Sequence, residues 1–451
     1  MTLETLRSVM PKKGNVKTTE IRDVIHGPVE LYPWEMEIVD SPAFQRLRNI
    51  KQLGFSEFAY PCAVHNRYIH SIGACHLAGV AFQAIFKKHF FSGQELYHHY
   101  YYLARVSALL HDIGHGPFSH AIEHAMPPVN RLGLPPEVAG KDTKRQATHE
   151  DYTLKIILDS PLTPILEKQY ARFGITPWTI ACVMNLSLKE KDGFFTDRGV
   201  SFRKVLHQII SSEMDADRMD YLQRDSYYTG VSYGKFDANW LLTNLGVHIE
   251  KKTAHMALNE RALYTFEDFL LSRYHMFLMV YLHHKSVCYE KMMEQYLHSH
   301  GCSFRVPENV EDYIRCDDSV VYEHLRRDAG TNDWADRILN RRHYRVAVEW
   351  HDRSGSRGNP AKSKEAAELK AKLKAKGTPF FEASSGKGLS NYVRPNLASL
   401  EPDENTLFVE TYDRLSGEVQ FRPLEELTDL FRKYAEEKNI YRIYIPENAK
   451  I

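Results

Sequence analysis

LARVSALLHDIGHGPFSH, residues 103–120, starts as one kind of segment and ends as another. Leu103, Val106, Leu109, Leu110 and Ile113 recur at the three- and four-residue steps of an apolar helix. The segment nevertheless closes on His111, Asp112, His115 and His120. Bringing so many titratable groups into apolar surroundings is costly unless something binds them. A divalent metal is the economical explanation, because imidazole and carboxylate at adjacent helical positions offer two ligands from one rigid turn. A His-Asp pair alone proves little: a second, His351-Asp352, lies in a loop-like stretch without comparable neighbours.

Around the first pair stand His70 in NRYIHSIG, His149 in THEDY, and Asp217 in SSEMDADRMDYLQRD. Asp217, Tyr221 and Asp225 recur every four residues, so on a helix they lie near one stripe and can face one pocket. Taken alone, the same segment reads equally well as a solvated acidic helix carrying Asp215 and Asp220.

The rest of the chain bounds this reading. At 451 residues there is room for a large helical domain and a smaller appendage. Lys plus Arg and Asp plus Glu are 58 each, so bulk charge advertises neither nucleic acid nor an anionic membrane. No stretch reaches the roughly twenty apolar residues that span a bilayer, and the start lacks a signal-peptide apolar core, which predicts a cytosolic protein and no membrane partner. The six cysteines form no C-x-x-C pair, against a zinc ribbon or disulfide framework.

From Ser41 to about Gln295 amphipathic helices follow one another, predicting a mainly α protein with residues 1–343 as the catalytic part. Tyr344 to Trp350 alternates like a strand and opens a C-terminal α/β region, 344–451. Within it, about 352–395 reads as a flexible polar insertion; its AAELKAKLKAKG stretch forms helix well but shows little apolar face. A small unit follows, with strands at Thr406 to Thr411, Glu418 to Phe421 and Tyr441 to Ile445, and a helix bearing Leu424, Leu427, Phe431 and Tyr434.

DSPAFQRLRNIKQLG, HNRYIHSIG, LLHDIGHGPFSH, THE and MDADRMDYLQRD stand in the order and approximate spacing of the HD-domain deoxynucleoside triphosphate triphosphohydrolases. Over roughly residues 20–300 the chain resembles the bacterial dGTP triphosphohydrolases and the catalytic part of the SAM-and-HD-domain dNTPase. The resemblance implies an HD-type helical core and hydrolysis of a dNTP to deoxynucleoside and tripolyphosphate. His70, His111, Asp112 and Asp217 match the ligands of one divalent ion (Mn, Fe, Ni, Co, Zn or Mg). His115, His120, Glu123 and His149 match the phosphate-facing and acid/base histidine network, Glu123 standing where the family alternates Asp and Glu.

Substrate contacts carry over in the same way. Arg67 matches the α-phosphate ligand, and Arg218 and Lys285 match further cations. Tyr221 matches the tyrosine under the deoxyribose, Gln52 and Asp225 the pair at its 3′-hydroxyl, and Leu53 joins Gln52 in that subsite. A bound metal would polarise a phosphoryl oxygen and lower the pKa of a coordinated water, while the cations neutralise developing charge. The nucleoside oxygen would then take a proton from His115 or His120. Plainer readings stand beside these: Arg67 can cap a neighbouring helix, and His149 can be an ordinary first-turn residue after the cap Thr148.

Asp40, Gln45 and Arg48 match positions that read an activating guanine nucleotide, although the lysine expected near Thr19 is absent and Trp240 replaces an expected arginine. The resemblance therefore implies an activating nucleotide and a homodimer or homotetramer. As plain chemistry, Asp40-Ser41-Pro42 is also an ordinary helix start. Two rival functions remain: an HD phosphohydrolase of a nucleoside monophosphate or cyclic nucleotide, and a nucleotide sensor or single-strand nucleic-acid binder, the latter kept open by Lys362 to Lys376.

Overall fold

The computed structural model describes residues 16–87, 91–353, 360–387, 407–413, 415–428, 430 and 438–449. An antiparallel hairpin of β1 (Thr19–Asp23) and β2 (Gly27–Leu31) opens it. The body is helical. α1 (Arg67–Ile85) starts at Asn66, whose side chain accepts the Ile69 N–H, and it is buried on nearly every face, as befits the central rod of a helical core. α2 (Gln94–Leu110) packs along α1 and ends where the His111-Asp112 pair begins.

Two glycines set how closely other helices approach. A Cβ at Gly73 of α1 would stand 1.9 Å from Asp220 Oδ1, so only glycine lets α5 (Ala216–Thr229) lay Asp220 and Arg224 against α1. A Cβ at Gly114 would stand 2.2 Å from the His149 carbonyl oxygen, so glycine there admits α3 (His149–Leu158) and brings His149 over the turn after Asp112. Between these helices α4 (Arg203–Ile210) fills the core. Downstream come a hairpin of β3 (Leu245–Glu250) and β4 (Thr253–Asn259), then α6 (Leu263–Met276) and α7 (His284–His298). The protein is mainly α, as the helical spacing predicts; β3 and β4 interrupt the helical run where no alternation stood out in the sequence.

The C-terminal region departs from expectation in two ways. The three strands expected after the insertion do not share one unit. β7 (Phe408–Tyr412) pairs in parallel with β4 of the helical body, and β8 (Val419–Pro423) extends that sheet. By contrast, β5 (Tyr344–Arg353) and β6 (Phe381–Lys387) flank β9 (Lys438–Pro446) in a separate antiparallel sheet. Tyr344, Val409 and Tyr444 belong to the same apolar core as α1 and α2, so the boundary expected at 344 is not a break in packing. Second, the expected polar insertion contains α8 (Pro360–Ala375), whose Ala366, Leu369 and Leu373 are buried against Ile443 and Ile445. Three small or medium apolar residues among lysines make a thin stripe, which is why it read as solvated. Phe431 and Tyr434 of the expected C-terminal helix lie outside the described residues. Among the described residues, no helix is long and apolar enough to cross a membrane.

Candidate metal centre and catalytic cavity

Where α1, the end of α2 and α5 meet, His70, His111, Asp112 and Asp217 converge. His70 Nε2 lies 3.0 Å from Asp217 Oδ1, 3.2 Å from His111 Nε2 and 3.5 Å from Asp112 Oδ2. His111 Nε2 lies 3.3 Å from Asp217 Oδ1 and 3.4 Å from Asp112 Oδ1. An ion held about 2.0–2.2 Å from each ligand separates neighbouring ligand atoms by roughly 3.0–3.5 Å, the spacing these atoms show. Two imidazole nitrogens facing each other beside two carboxylates also require positive charge between them. Burial pushes the His70 imidazole down, but its bonds to Asp217 and Asp220 outweigh that and raise it to about 10. His70, His111 and Asp217 therefore offer one ligand atom each to a single divalent cation, with Asp112 beside them.

Three of the four candidate ligands are held from behind. His70 Nδ1 donates to Asp220 Oδ2 at 2.7 Å, and His111 Nδ1 donates to the Ala108 carbonyl at 2.7 Å, which aims both Nε2 atoms inward. Asp220 is fully buried and takes two bonds from Arg224, each 2.8 Å, and one contact from His26 at 2.6 Å. Arg224 reaches on to Asp23 at the hairpin. Asp112 is bonded by Arg67, whose Nε donates to Ser119 Oγ at 2.9 Å. Burial would raise the Asp112 carboxyl, yet Arg67, His111 and His115 hold it well below the usual carboxylate range.

A second cluster adjoins the first. His115 Nε2 lies 3.4 Å from Asp112 Oδ1, and its ring stacks on His149 with centroids 3.9 Å apart and planes 14° from parallel. His149 Nδ1 meets Glu123 Oε1 at 2.5 Å, and His120 Nδ1 meets the same oxygen at 3.1 Å. Although four ligand atoms gather here, parallel stacked rings direct their in-plane lone pairs past one another, a poor geometry for chelating one ion and a good one for a proton network. Burial and the nearby Arg67 and His149 hold the His115 imidazole well below its usual value, so it is neutral near pH 7. Burial would raise Glu123, but the bonds from His120 and His149 keep it low and ionised.

The turn presenting His120 is strained: Phe118 and Ser119 both adopt left-handed backbone, φ 54° and 56°. Asp318 holds it, accepting the Phe118 N–H at 2.7 Å and the Lys51 N–H at 3.2 Å.

Both clusters open into a cavity of about 340 Å³. Of the residues singled out in the sequence, Gln52, Leu53, Arg67, Asp112, His115, His120, His149, Asp217, Tyr221 and Asp225 line it. Arg218 and Lys285 do not: Arg218 is drawn into ion pairs with Glu213 at 3.0 Å and Asp215 at 3.6 Å, and Lys285 sits in the first turn of α7 beside His284. Asp215 and Asp220 are buried, Asp220 behind His70, which removes the alternative of a solvated acidic helix. Sequence reading also passed over Phe277, Tyr281 and Glu290, which line the cavity. Phe277–Tyr281 is one wide, π-type turn, a local geometry without a sequence signature and often found at sites. Tyr281 O–H donates to Asp225 Oδ2 at 2.7 Å, while His65 Nε2 meets Oδ1 at 2.7 Å. A second cavity of about 500 Å³ shares Asp112, His149 and Asp217 with the first, so the metal end forms a wall between two spaces.

On the outer surface Arg48 Nε donates to Gln45 Oε1 at 2.7 Å, its guanidinium lies 3.6 Å over the Tyr68 ring, and Asp40 acts on the same ring. These three residues thus gather around Tyr68, away from the cavity lining.

The HD domain family matches residues 67–225, and the HD associated region matches 236–374. The uncharacterized protein YwfO of Bacillus subtilis is 31% identical over 328 residues, 68% of this chain and 66% of that protein. The deoxynucleoside triphosphate triphosphohydrolase SAMHD1 of Homo sapiens is 32% identical over 225 residues, 47% of this chain and 33% of that protein. The matched stretch thus spans about two thirds of the first relative and one third of the second. A hypothetical protein from Aquifex aeolicus shares the fold, with TM-score 0.70 at 24% identity over 95% of this chain and 97% of that one.

Proposed function

The chain belongs to the HD-domain proteins, and from that premise we propose that it is a metal-dependent phosphohydrolase cleaving a dNTP to deoxynucleoside and tripolyphosphate. One observation carries the reading: a single cavity is lined both by Asp112 and Asp217 of the candidate ligand cluster and by Tyr221, Asp225 and Tyr281. His70, His111, Asp112 and Asp217 would hold one divalent ion, which when bound polarises a phosphoryl oxygen and lowers the pKa of coordinated water.

The chain's own groups do the rest. Arg67, fixed by Asp112 and Ser119, neutralises charge on the α-phosphate with its remaining N–H donors. His115 is neutral, so it receives or relays a proton rather than supplying one. His120 is the better placed donor to the nucleoside oxygen: it lines the cavity, is largely exposed and meets Glu123 Oε1 at 3.1 Å. Asp225, oriented by His65 and Tyr281, accepts the 3′-hydroxyl, with Gln52 and Leu53 beside it; Tyr221 packs under the ring. The Asp40, Gln45 and Arg48 cluster would take an activating guanine nucleotide in a homo-oligomer.

A nucleoside monophosphate remains the second reading because, among the described residues, Arg67 is the one Lys or Arg lining the cavity. Incubation with each dNTP or dNMP and Mn²⁺, with and without GTP, separates the readings. Tripolyphosphate and deoxynucleoside support the first, and orthophosphate from a dNMP alone supports the second. GTP-independent turnover removes the activator.

A further inference from the structure

Glu290, on α7, lines the cavity with Leu53, Ser56 and Phe277, and nothing in the mechanism above uses it. Glu290 is half-buried, and the fully buried carboxylates among the described residues have partners: Asp220 holds Arg224, Glu213 holds Arg273, Glu35 holds Arg105, and Asp318 takes two backbone N–H groups. Glu290 has no hydrogen bond or ion pair among the described residues, and its neighbour Lys291 is committed to Glu294 at 2.6 Å. A carboxyl left open in a largely desolvated wall is costly, and such an exception points to a ligand.

Its place in the cavity follows from the elements around it, and burial pushes the carboxyl up to about 7 against the pull of Lys291. α7 packs on the Gly54–Phe58 turn, which supplies Gly54 and Ser56 to the lining. A nucleotide with phosphates at Asp112 and Asp217 and sugar at Tyr221 and Asp225 leaves this remaining wall for the base.

We propose that Glu290 reads the base, and that it selects a base presenting two adjacent N–H donors, guanine among the common four. This rests on the deoxynucleotide reading above. Two N–H donors brought against the carboxyl favour its ionised form, which only accepts, and its two oxygens match the parallel N1–H and N2–H donors of guanine in a charge-assisted pair. Adenine and cytosine turn an acceptor toward one of those oxygens, and thymine offers a single N–H between two carbonyls. Leu53 and Phe277 provide apolar surface in the same wall.

The test compares the metal-loaded full chain with Glu290→Gln and Glu290→Ala. In each, kcat/KM is measured for dGTP, dITP, dATP and dCTP, and dGMP and dAMP binding by calorimetry. The wild type should favour dGTP over dATP at least ~10-fold, with dITP between because it lacks the 2-amino group. Either variant should collapse that ratio to within about threefold while dATP turnover holds. An unchanged ratio in both variants, or equal use of all bases by the wild type, overturns the proposal. If no dNTP is hydrolysed, the triphosphohydrolase reading fails and calorimetry decides alone: dGMP preference lost in the variants supports the base reader, and equal dGMP and dAMP binding by the wild type ends it.

Discussion

The two titratable clusters adjoin at Asp112 and His115 and are built oppositely. In the ligand cluster His70, His111 and Asp112 each have a rear atom tied to a fixed partner, Asp220, the Ala108 carbonyl or Arg67, and Asp220 is anchored again by Arg224. In the histidine–glutamate cluster the imidazoles run from buried to open, the His120 side chain being 65% exposed and that of His115 3%, and His115 Nδ1 has no partner. Rigid rear support suits ligands that must not move, whereas graded exposure and ring stacking suit groups that pass a proton to solvent. On the proposed reading, the difference suits one cluster to metal binding and the other to proton transfer.

The largest test of that division is Asp217→Ala. We expect metal content by mass spectrometry and turnover to fall together, the latter at least ~10³-fold; full metal content would dissolve the distinction. His120→Gln should lower kcat about 10²–10³-fold while metal content stays at the wild-type level. Loss of metal in that variant would merge the clusters into one. Asp220→Asn, touching no substrate, should weaken metal affinity roughly 10–100-fold in a competitive chelator titration. An unaltered affinity would show that rear support is dispensable.

The smallest effect concerns the turn carrying His120. Burial raises Asp318 to about 7, above its unfolded value near 3.9. The folded state thus holds the proton more tightly, so this contribution is fully present below about pH 4 and is lost as pH rises toward 7. Relative to Asp318→Asn, the wild type should lose on the order of 2 kcal/mol between pH 5 and 8, read as a widening difference in melting temperature. Parallel melting curves across that range would leave Asp318 outside the pH response.

What the sequence made legible was local: the apolar run ending in His111 and Asp112, and the four-residue stripe of Asp217, Tyr221 and Asp225, all three of which line the cavity. What stayed hidden depends on distant partners. His26 and Asp220 are 194 residues apart, and Asp318 and Phe118 are 200. No local pattern announces such pairings. Arg218 and Lys285 show the converse: residue type and order matched, but Glu213 and Asp215 claimed the first and the α7 terminus placed the second elsewhere. The helix α8 was legible but its burial was not, because Ala366, Leu369 and Leu373 make so narrow an apolar stripe among lysines.

The parallel pairing of β4 with β7 also sets a timetable for synthesis. Ala257, Leu258 and Asn259 must wait roughly 150 residues for Phe408, Val409 and Glu410. At the ~5–20 residues per second of translation, that is on the order of ten to thirty seconds with one strand edge uncovered. By then every residue lining the catalytic cavity has already been made, the last being Glu290. The nascent chain thus carries a complete site on an unfinished sheet, and its vulnerable interval, when a chaperone or a second nascent copy could capture that edge, falls late in its production.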